Sequence, residues 1–298
     1  MDLKKKISGH GVAMITPFDG NLSIDFDSIS NITNNLLKNG VDFLVILGTT
    51  SESPTIKKEE KREIIEHIIS LNSNKVPLVL GLGSNSTEQV LEDLEYYNLD
   101  SFDALLSVTP YYNKPNQNGL YYHYKSIAIN SILPIILYNV PARTGVNILP
   151  NTVCKLANDF ENIIGIKEAS NDINQAKELL SICPNDFIVL SGEDQLAVPM
   201  INLGAKGLIS VIGNAMPKKC SEMVNLALNK DAEKATIIQS QISNLIQMIF
   251  SEGNPTGIKA LLNILNFCEN KLRLPLTPAS NKLFKELKDE VILNKDFF

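Results

Sequence analysis

The 298-residue chain has no tryptophan, only three histidines and only four cysteines, and these scarcities exclude several classes of site. The cysteines never occur with Cys-x-x-Cys spacing, and only three histidines are present that could complete a metal site with them. We therefore expect that no metal is bound and that the thiols are reduced. The cysteines are Cys154, Cys183, Cys220 and Cys268, and the histidines are His10, His67 and His123.

An excess of basic charge and long apolar runs are also missing. The 33 acidic residues outnumber the 27 basic ones, and no basic stripe interleaved with aromatics would follow a phosphate backbone, so nucleic acid is not expected as a partner. No stretch approaches the length of a membrane span. Lysines occupy positions 4–6, but His10, Gly11, Pro17 and Asp19 interrupt the residues that would form the core of a secretory signal. We expect a cytoplasmic protein.

Arginine is scarce as well, since the chain has only three arginines beside many lysines. Lysine can replace arginine wherever the planar guanidinium is not required. The three positions that keep arginine therefore stand out, and Arg143 is of most interest because it follows a predicted strand. The other two are Arg62 and Arg273.

The pattern of apolar residues predicts an α/β protein. Short runs rich in β-branched residues alternate with longer segments of helical period, which is typical of a parallel sheet built from βα units. Eight such runs in a chain of this length predict a closed (β/α)8 barrel, or TIM barrel. The predicted strands are residues 11–18, 43–49, 78–83, 104–110, 135–141, 163–169, 187–193 and 207–213.

Helical periodicity continues beyond the last predicted strand. Two helices between strands are predicted at residues 59–69 and 88–97, and three more at residues 232–250, 256–266 and 280–293. No linker rich in proline, glycine or serine separates these three from the barrel. We therefore predict a barrel over residues 1–228 and a helical extension over residues 229–298 that packs on it.

Lys167 ends the apolar sixth strand and is the first candidate for chemistry. Burial disfavours the ammonium form of a lysine, which makes a free amine accessible for attack on a carbonyl. The alternation of a strand predicts Gly165 and Lys167 on one face and Ile164, Ile166 and Glu168 on the other. The alternative is a lysine that lays its methylenes on apolar surface and keeps its charge in water.

A second Gly-Ile-Lys sequence, at residues 257–259, provides an internal control. It follows Asn254 and Pro255 and continues with apolar residues at helical spacing, so Lys259 is predicted to lie on a helix with a structural or solvated role.

The segment after the fifth strand combines a phenol and a guanidinium. Tyr138 is suited to pass protons to and from a nearby amine, or it is an interior tyrosine whose hydroxyl bonds to backbone. Arg143 is suited to hold a substrate carboxylate through two parallel hydrogen bonds, or it is a surface charge.

Two further loops carry hydroxyl groups and aromatic rings. Thr49 and Thr50 follow the second strand and are predicted either to cradle a carboxylate or to cap the next helix. Tyr111 and Tyr112 follow the fourth strand, where they serve either packing at a subunit contact or catalysis.

In this order, the motifs resemble those of the pyruvate-dependent class I aldolases, and among them the dihydrodipicolinate synthase family. The resemblance spans essentially the whole chain and is most specific at residues 109–115 and 138–145, where the sialic acid lyases differ. It implies condensation of pyruvate with L-aspartate 4-semialdehyde in lysine and diaminopimelate biosynthesis. It also implies that no organic cofactor is used and that the protein is a homotetramer, built as a dimer of dimers.

The resemblance implies roles for four catalytic residues. Lys167 would form a Schiff base with pyruvate, and Tyr138 would relay protons to and from it. Thr50 and Tyr112 would complete a hydroxyl relay with Tyr138, with Tyr112 lent by a neighbouring subunit.

The resemblance also implies the residues that bind substrate. Thr49 and Thr50 would hold the carboxylate of pyruvate, and Arg143 would receive the carboxylate of aspartate semialdehyde. Gly192 and Ile209, at the ends of the seventh and eighth strands, would line the pyruvate site.

Two places depart from the family pattern. Ser51 stands where the family usually has glycine, so a positive φ at this position would strain the cradle. Lys58, Lys61 and Gln89 replace two histidines and a glutamate at the site that binds inhibitory lysine in regulated members. Two cations there should repel the ammonium of the inhibitor, which predicts weak or absent inhibition by lysine.

Two alternatives stay open on the sequence. One is a related aldolase that releases pyruvate from a 2-keto-3-deoxy or sialic acid. The other is a barrel that binds a small keto acid without turning it over, which a damaged cradle at Ser51 would produce.

Overall fold

The structure is a computed structural model that describes residues 3–297, and its centre is a closed barrel of eight parallel strands. Each strand pairs with the next one along the chain, and β8 pairs with β1. The (β/α)8 prediction is confirmed. The strands are β1 Gly9–Ala13, β2 Phe43–Ile46, β3 Leu78–Gly81, β4 Ala104–Val108, β5 Ile135–Asn139, β6 Ile163–Glu168, β7 Ile188–Ser191 and β8 Gly207–Ser210.

Helices surround the barrel and continue past it. All five helices predicted from periodicity are confirmed to within three residues at each end. The helices are α1 Leu3–Lys6, α2 Phe26–Lys38, α3 Lys58–Asn72, α4 Thr87–Tyr96, α5 Gln117–Asn130, α6 Pro141–Thr144, α7 Pro150–Asp159, α8 Ile173–Ile182, α9 Ala197–Leu203, α10 Pro217–Leu228, α11 Ala232–Ser251, α12 Thr256–Ile264 and α13 Asn281–Leu293.

The core has two layers, which follow from the alternation of side chains along each strand. Phe43 and Val45 of β2 belong to a cluster inside the barrel, whereas Leu44 and Ile46 pack outward against the helices. The outer layer includes Ile242 and other apolar residues of α11, so the C-terminal helices share the core of the barrel.

The sixth strand departs from simple alternation. The register of β6 against β5 shifts, so that Ile135 pairs with Ile163 but Ile136 pairs with Gly165. The irregularity turns Ile164 into the inner cluster. The prediction that Ile164 shares a face with Ile166 is therefore wrong, while Lys167 lies on the inner face beside Tyr138.

The first strand ends earlier than predicted, at Ala13 rather than at residue 18. Beyond Ala13, several backbone groups form hydrogen bonds with side chains instead of with a neighbouring strand. Ser51 Oγ donates to the carbonyl oxygen of Met14 at 2.6 Å, and the amide of Ile15 donates to Asn214 Oδ1 at 3.2 Å. Residues 11–18 are all buried, but only the first of them pair with a neighbouring strand.

Two kinds of feature are absent from residues 3–297. None of the helices there is long and apolar enough to cross a bilayer. Nor do three or more histidine, cysteine, aspartate or glutamate side chains in that range come together in a way that would hold a metal ion.

Candidate active site

Lys167 lies inside the barrel beside Tyr138. The two residues are directly paired in the register of β5 and β6, so their side chains project from the same face of the sheet. Lys167 is 5% exposed, and its Nζ atom lies 4.4 Å from the centroid of the Tyr138 ring. Lys167 therefore does not extend into solvent, as the alternative of a lysine with a solvated charge requires.

No carboxylate in residues 3–297 lies within ion-pair distance of Lys167. The charge of Lys167 acts at longer range on the half-buried carboxyl group of Glu193. Burial and then the negative charge of Asp194 raise the pKa of Glu193, while Lys167 and Arg143 act to lower it. An interior ammonium without a directly bonded counter-ion is costly, which favours a chemical role.

Tyr138 meets the conditions for a proton relay better than those for a structural tyrosine. Its side chain is 7% exposed, and its hydroxyl makes no hydrogen bond to backbone within the described range of the chain. Tyr138 also lines a cavity of about 480 Å³ at the carboxyl end of the barrel, together with Thr49 and Arg143. Lys167 itself does not line that cavity, but its neighbour Tyr138 does.

Gly192 packs directly against the side chain of Lys167. A Cβ atom at this position would lie 2.9 Å from Lys167 Cε and 2.7 Å from Ala169 Cβ. Glycine therefore leaves room for the lysine to cross the barrel interior. Ile209, on β8, is fully buried in the inner cluster.

The loop after β2 forms a tight 3-10 turn at Thr49–Ser51. The backbone N–H groups of Thr49 and Thr50 begin this turn and have no acceptor within it, so they are available to a carboxylate. The left-handed residues that flank the turn are Leu47, with φ 57°, and Glu52, with φ 58°.

Ser51 itself does not adopt a positive φ, so the predicted strain at this position is wrong. The side chain is instead 2% exposed and ties the turn to the segment after β1 through its bond to Met14. Serine is compatible with the turn because the left-handed conformation falls on Glu52, one residue later.

Asn254, from the segment between α11 and α12, connects two of the predicted site residues. Its Nδ2 donates to Thr50 Oγ1 at 2.9 Å, and its carbonyl oxygen accepts from Arg143 Nη2 at 3.3 Å. The exposed Arg143 lies on the short helix α6, which ends at Gly145 with φ 71°. The fold thus brings Thr50 and Arg143 to one residue of the C-terminal extension.

Lys259 lies on α12, as predicted, and it is fully buried rather than solvated. Its ammonium pairs with Glu52, donates to the carbonyl oxygen of Lys271 at 2.9 Å, and lies 4.1 Å from the centroid of the Phe18 ring. The amide of Arg273 also donates to Glu52, at 3.1 Å. A buried charge cluster therefore fixes the end of the Thr49–Ser51 turn.

Tyr112 is not part of the cavity within its own chain. Its side chain is 87% exposed, and its backbone has φ 73°, a conformation that costs energy for a bulky residue. Tyr111, its neighbour, lines the cavity instead.

Lys58 and Lys61 also line the cavity, on the side formed by α3. Lys58 pairs with Asp93 at 2.7 Å. Lys61 makes no ion pair within residues 3–297, and its pKa is lowered by burial and by the charge of Lys58, against the opposing effect of Asp93. This side of the cavity carries the two positive charges expected from the sequence.

Two residues of this region were missed by reasoning from the sequence. Neither Asn254 nor Glu193 was assigned a role from the sequence. No spacing rule connects Asn254 with Thr50, 204 positions away. Glu193 had a weak signal, since it is an acidic residue at the end of a predicted barrel strand.

Comparison with known families gives a match over nearly the whole chain. The model of the dihydrodipicolinate synthetase family matches residues 6–293. A 4-hydroxy-tetrahydrodipicolinate synthase of Azobacteroides pseudotrichonymphae is 47% identical over 287 residues, which cover 96% of this chain and 97% of the relative. One of Flavobacterium psychrophilum is 47% identical over 279 residues, covering 94% of this chain and 95% of the relative.

Solved structures give the same result for the fold. A dihydrodipicolinate synthase from Thermotoga maritima superposes with a TM-score of 0.94 at 39% identity, covering 96% of this chain and 98% of that one. The similarity therefore extends through the barrel and into the C-terminal helices.

Proposed function

The chain belongs to the dihydrodipicolinate synthetase family and has 4-hydroxy-tetrahydrodipicolinate synthase activity, and we propose that it works through a Schiff base between Lys167 and pyruvate. The observation that supports this mechanism most is the interior position of Lys167, without a directly bonded counter-ion and paired in register with Tyr138. Enzymatic activity excludes the alternative of a barrel that only binds a keto acid.

The proposed reaction begins when the free amine of Lys167 attacks the carbonyl carbon of pyruvate. Loss of water gives an iminium ion, which withdraws electrons and lets a methyl proton leave to form an enamine. The enamine carbon attacks the aldehyde of L-aspartate 4-semialdehyde. The amino group of that substrate then displaces Lys167 from the former carbonyl carbon, which closes the ring and frees the enzyme. No organic cofactor enters these steps.

The side chains around Lys167 would transfer the protons and bind the charged groups of these reaction steps. Tyr138 carries a hydroxyl with no backbone partner in residues 3–297 and would relay the protons of dehydration and enamine formation. Thr49 and Thr50 bind the pyruvate carboxylate through their backbone N–H groups and hydroxyls. Gly192 and Ile209 line the same site.

Arg143 determines the second substrate in this proposal. It lines the cavity together with Tyr138, is anchored by one hydrogen bond to Asn254, and keeps its remaining donors for a carboxylate. A retro-aldol lyase for sugar acids would need hydroxyl-binding groups instead.

Tyr112 supports a proposal about assembly. An exposed phenol on a strained backbone is suited to enter the site of a neighbouring copy, where it would complete the relay of Thr50 and Tyr138. We therefore propose a homotetramer built as a dimer of dimers, working in the cytoplasm.

The lining of the cavity also supports insensitivity to lysine. The ammonium of a lysine molecule would approach both Lys58 and Lys61, and Asp93, the acidic residue that lines the cavity with them, is already paired with Lys58. Half-inhibition of the condensation by micromolar lysine would contradict this expectation.

A coupled condensation assay with a panel of substrates tests the proposal. The wild-type protein should consume pyruvate with aspartate semialdehyde and release no pyruvate from sialic or 2-keto-3-deoxy acids. Arg143→Ala should raise the KM for aspartate semialdehyde at least about tenfold, the loss expected for a charged hydrogen bond. Arg62→Ala, which removes an exposed arginine paired only with Glu66, is the matched control. Pyruvate release from a sugar acid would assign the lyase reaction instead.

A further inference from the structure

Cys154 and Cys183 are far apart in the sequence but lie side by side in the helical layer of the barrel. Cys154 lies on α7, and Cys183 follows the last residue of α8, which packs against α7. The thiol of Cys154 donates a hydrogen bond to the carbonyl oxygen of Ile182 at 3.0 Å. That oxygen belongs to the peptide group that joins Ile182 to Cys183, so the two cysteines are neighbours in space.

The bond to Ile182 limits the distance between the two cysteines. In a planar trans peptide the carbonyl oxygen lies about 3 Å from the next Cα atom, so Cys154 Sγ lies within about 6 Å of the Cα atom of Cys183. The thiols also act on each other. Burial and then the charge and a hydrogen bond of Cys154 raise the pKa of Cys183 to about 12. The pair therefore meets the first requirement of a disulfide, which is proximity of the two side chains.

We propose that Cys154 and Cys183 form a redox-modification site, a pair of thiols that reduces small-molecule disulfides and closes into a disulfide between α7 and α8. The substrate class is a small disulfide such as oxidised glutathione. Neither cysteine takes part in the proposed condensation, so this inference does not rest on the proposed function.

Cys154 is the thiol that attacks first. The thiolate is the reactive form of a cysteine, and it needs access to the reagent. Cys154 is half-buried, and the side-chain amide of Asn158 donates to its sulfur at 3.4 Å, which favours the thiolate. Cys183 is half-buried as well, but its raised pKa keeps its proton in place.

The exchange has two steps. Cys154 loses its proton to water, and its thiolate attacks one sulfur of the small disulfide, whose own sulfur–sulfur bond breaks and releases one small thiolate. Cys183 then loses its proton and attacks Cys154 Sγ, which forms the protein disulfide and expels the second small thiolate. Each cysteine loses one electron. The small disulfide gains two electrons and two protons and becomes two thiols.

The first step prepares the second. Once Cys154 is part of the mixed disulfide it carries no negative charge, and it no longer bonds to Cys183 as a thiol. Two of the effects that raise the pKa of Cys183 are then gone. Cys183 therefore ionises more readily when its partner is ready to be attacked.

The disulfide would enclose the strand of Lys167. α7 precedes β6 and α8 follows it, so a bond between the two cysteines closes a loop that contains all of β6. Closing a loop restricts the unfolded chain and stabilises the folded one. Oxidation should therefore make the protein more resistant to unfolding.

The other two cysteines serve as internal controls. Cys220 is fully buried and Cys268 is 8% exposed. Burial raises the pKa of both thiols. Neither should react with a small disulfide while the protein is folded.

The test treats the folded wild-type protein with excess oxidised glutathione at about pH 8.5, where an ordinary thiol is half ionised. After an acid quench, free thiols are alkylated in denaturant and the peptides are mapped without reduction by mass spectrometry. We expect a disulfide between Cys154 and Cys183 within one chain, and alkylated Cys220 and Cys268. Dithiothreitol should return all four cysteines to the thiol form.

Single serine variants test the order of the two steps. Cys183→Ser should stop at the mixed disulfide, with one glutathione held on Cys154. Cys154→Ser should take up no glutathione in the time that modifies Cys183→Ser fully, because Cys183 keeps its proton. Glutathione found on Cys183 rather than on Cys154 would overturn the assigned order.

Thermal unfolding tests the link between the helices. The oxidised wild-type protein should unfold about 5 °C higher than the reduced protein, as a cross-link around a loop of this length predicts for a chain of this size. Cys183→Ser treated in the same way is the matched control and should show no such rise.

Three results would overturn the inference: free thiols at both positions after treatment, a disulfide between two copies instead of within one, or an unfolding midpoint that oxidation leaves unchanged. Non-reducing electrophoresis separates the first two from the expected product. Failure to trap pyruvate on the wild-type protein with borohydride would refute the proposed function and leave this inference in place.

Discussion

Lys167 and Lys259 share the tripeptide Gly-Ile-Lys but have opposite environments. Lys167 is 5% exposed and has no bonded carboxylate within residues 3–297, whereas Lys259 is fully buried and paired with Glu52. Burial lowers the pKa of Lys259, and the charge and hydrogen bond of Glu52 oppose that effect. Removing one partner of a buried ion pair is costly, which favours a structural role for Lys259, while the lack of a bonded carboxylate at Lys167 in this range favours a chemical one.

The space beside Lys167 gives a prediction at the residue scale. Gly192→Ala would place a methyl group 2.9 Å from Lys167 Cε and displace the lysine. We expect kcat/KM for pyruvate to fall about 100-fold, the loss typical of a reacting group misplaced by about 1 Å. Steady-state kinetics measures it.

Gly20→Ala is the control for Gly192→Ala, because its methyl group would meet no atom nearer than 3.8 Å. This variant should retain wild-type activity. Equal activities of the two variants would show that the lysine does not need the space left by Gly192.

The positions of single residues were predictable where local periodicity governs them. Alternation along a strand predicted that Lys167 and Ile166 lie on opposite faces, although the shift in register moved Ile164. The conformation of Ser51 was not predictable, because the left-handed φ depends on where the turn closes and falls on Glu52. Backbone angles in a loop follow from bonds to distant residues such as Met14.

At the scale of elements, the C-terminal helices support the loop after β2. Asn254 and Lys259 come from the segment and helix that follow α11, and they contact Thr50 and Glu52 of the loop after β2. The sequence predicted helices there but not these contacts, since more than 200 positions separate the partners. Sequence periodicity predicts where the helices lie, but the tertiary contacts determine which loop they stabilise.

The buried pair of Lys259 and Glu52 gives a prediction for this arrangement. Lys259→Met would leave a carboxylate buried without its counter-ion, which costs about 3–5 kcal/mol of the free energy of unfolding. Urea denaturation measures the change. Adding Glu52→Gln should recover part of the loss, because the double variant buries no unpaired charge.

Lys234→Met is the control for Lys259→Met, since it breaks an exposed pair with Asp231. Its unfolding midpoint should stay at the wild-type value. A Lys259 variant as stable as the Lys234 variant would mean that the buried pair does not hold the extension to the loop.

At the scale of the whole molecule, two buried histidines predict acid sensitivity. Burial lowers the pKa of His10 to about 3 and that of His123 to about 4, from an ordinary value of 6.5. The folded protein keeps both rings neutral, while the unfolded chain binds protons near pH 6.5. Their contribution to stability is therefore complete above pH 6.5 and is lost as the pH falls, by about 1.4 kcal/mol per pH unit for each ring.

His123→Asn tests this prediction, because the amide can still bond to Thr87, the partner of His123 Nδ1. Between pH 6 and about 4.5, the free energy of unfolding of the variant should fall less steeply than that of wild type, by about 1.4 kcal/mol per pH unit. Parallel pH profiles would show that His123 is not held neutral by the fold.

The central claim is that Lys167 is the nucleophile that binds pyruvate. The most direct measurement is reduction of the wild-type protein with borohydride in the presence of pyruvate, followed by peptide mapping by mass spectrometry. We predict one reduced pyruvate adduct, on the peptide that carries Lys167, and none on the peptide that carries Lys259. A preparation with full condensation activity in which Lys167 stays unmodified, or in which another lysine carries the adduct, would contradict the account.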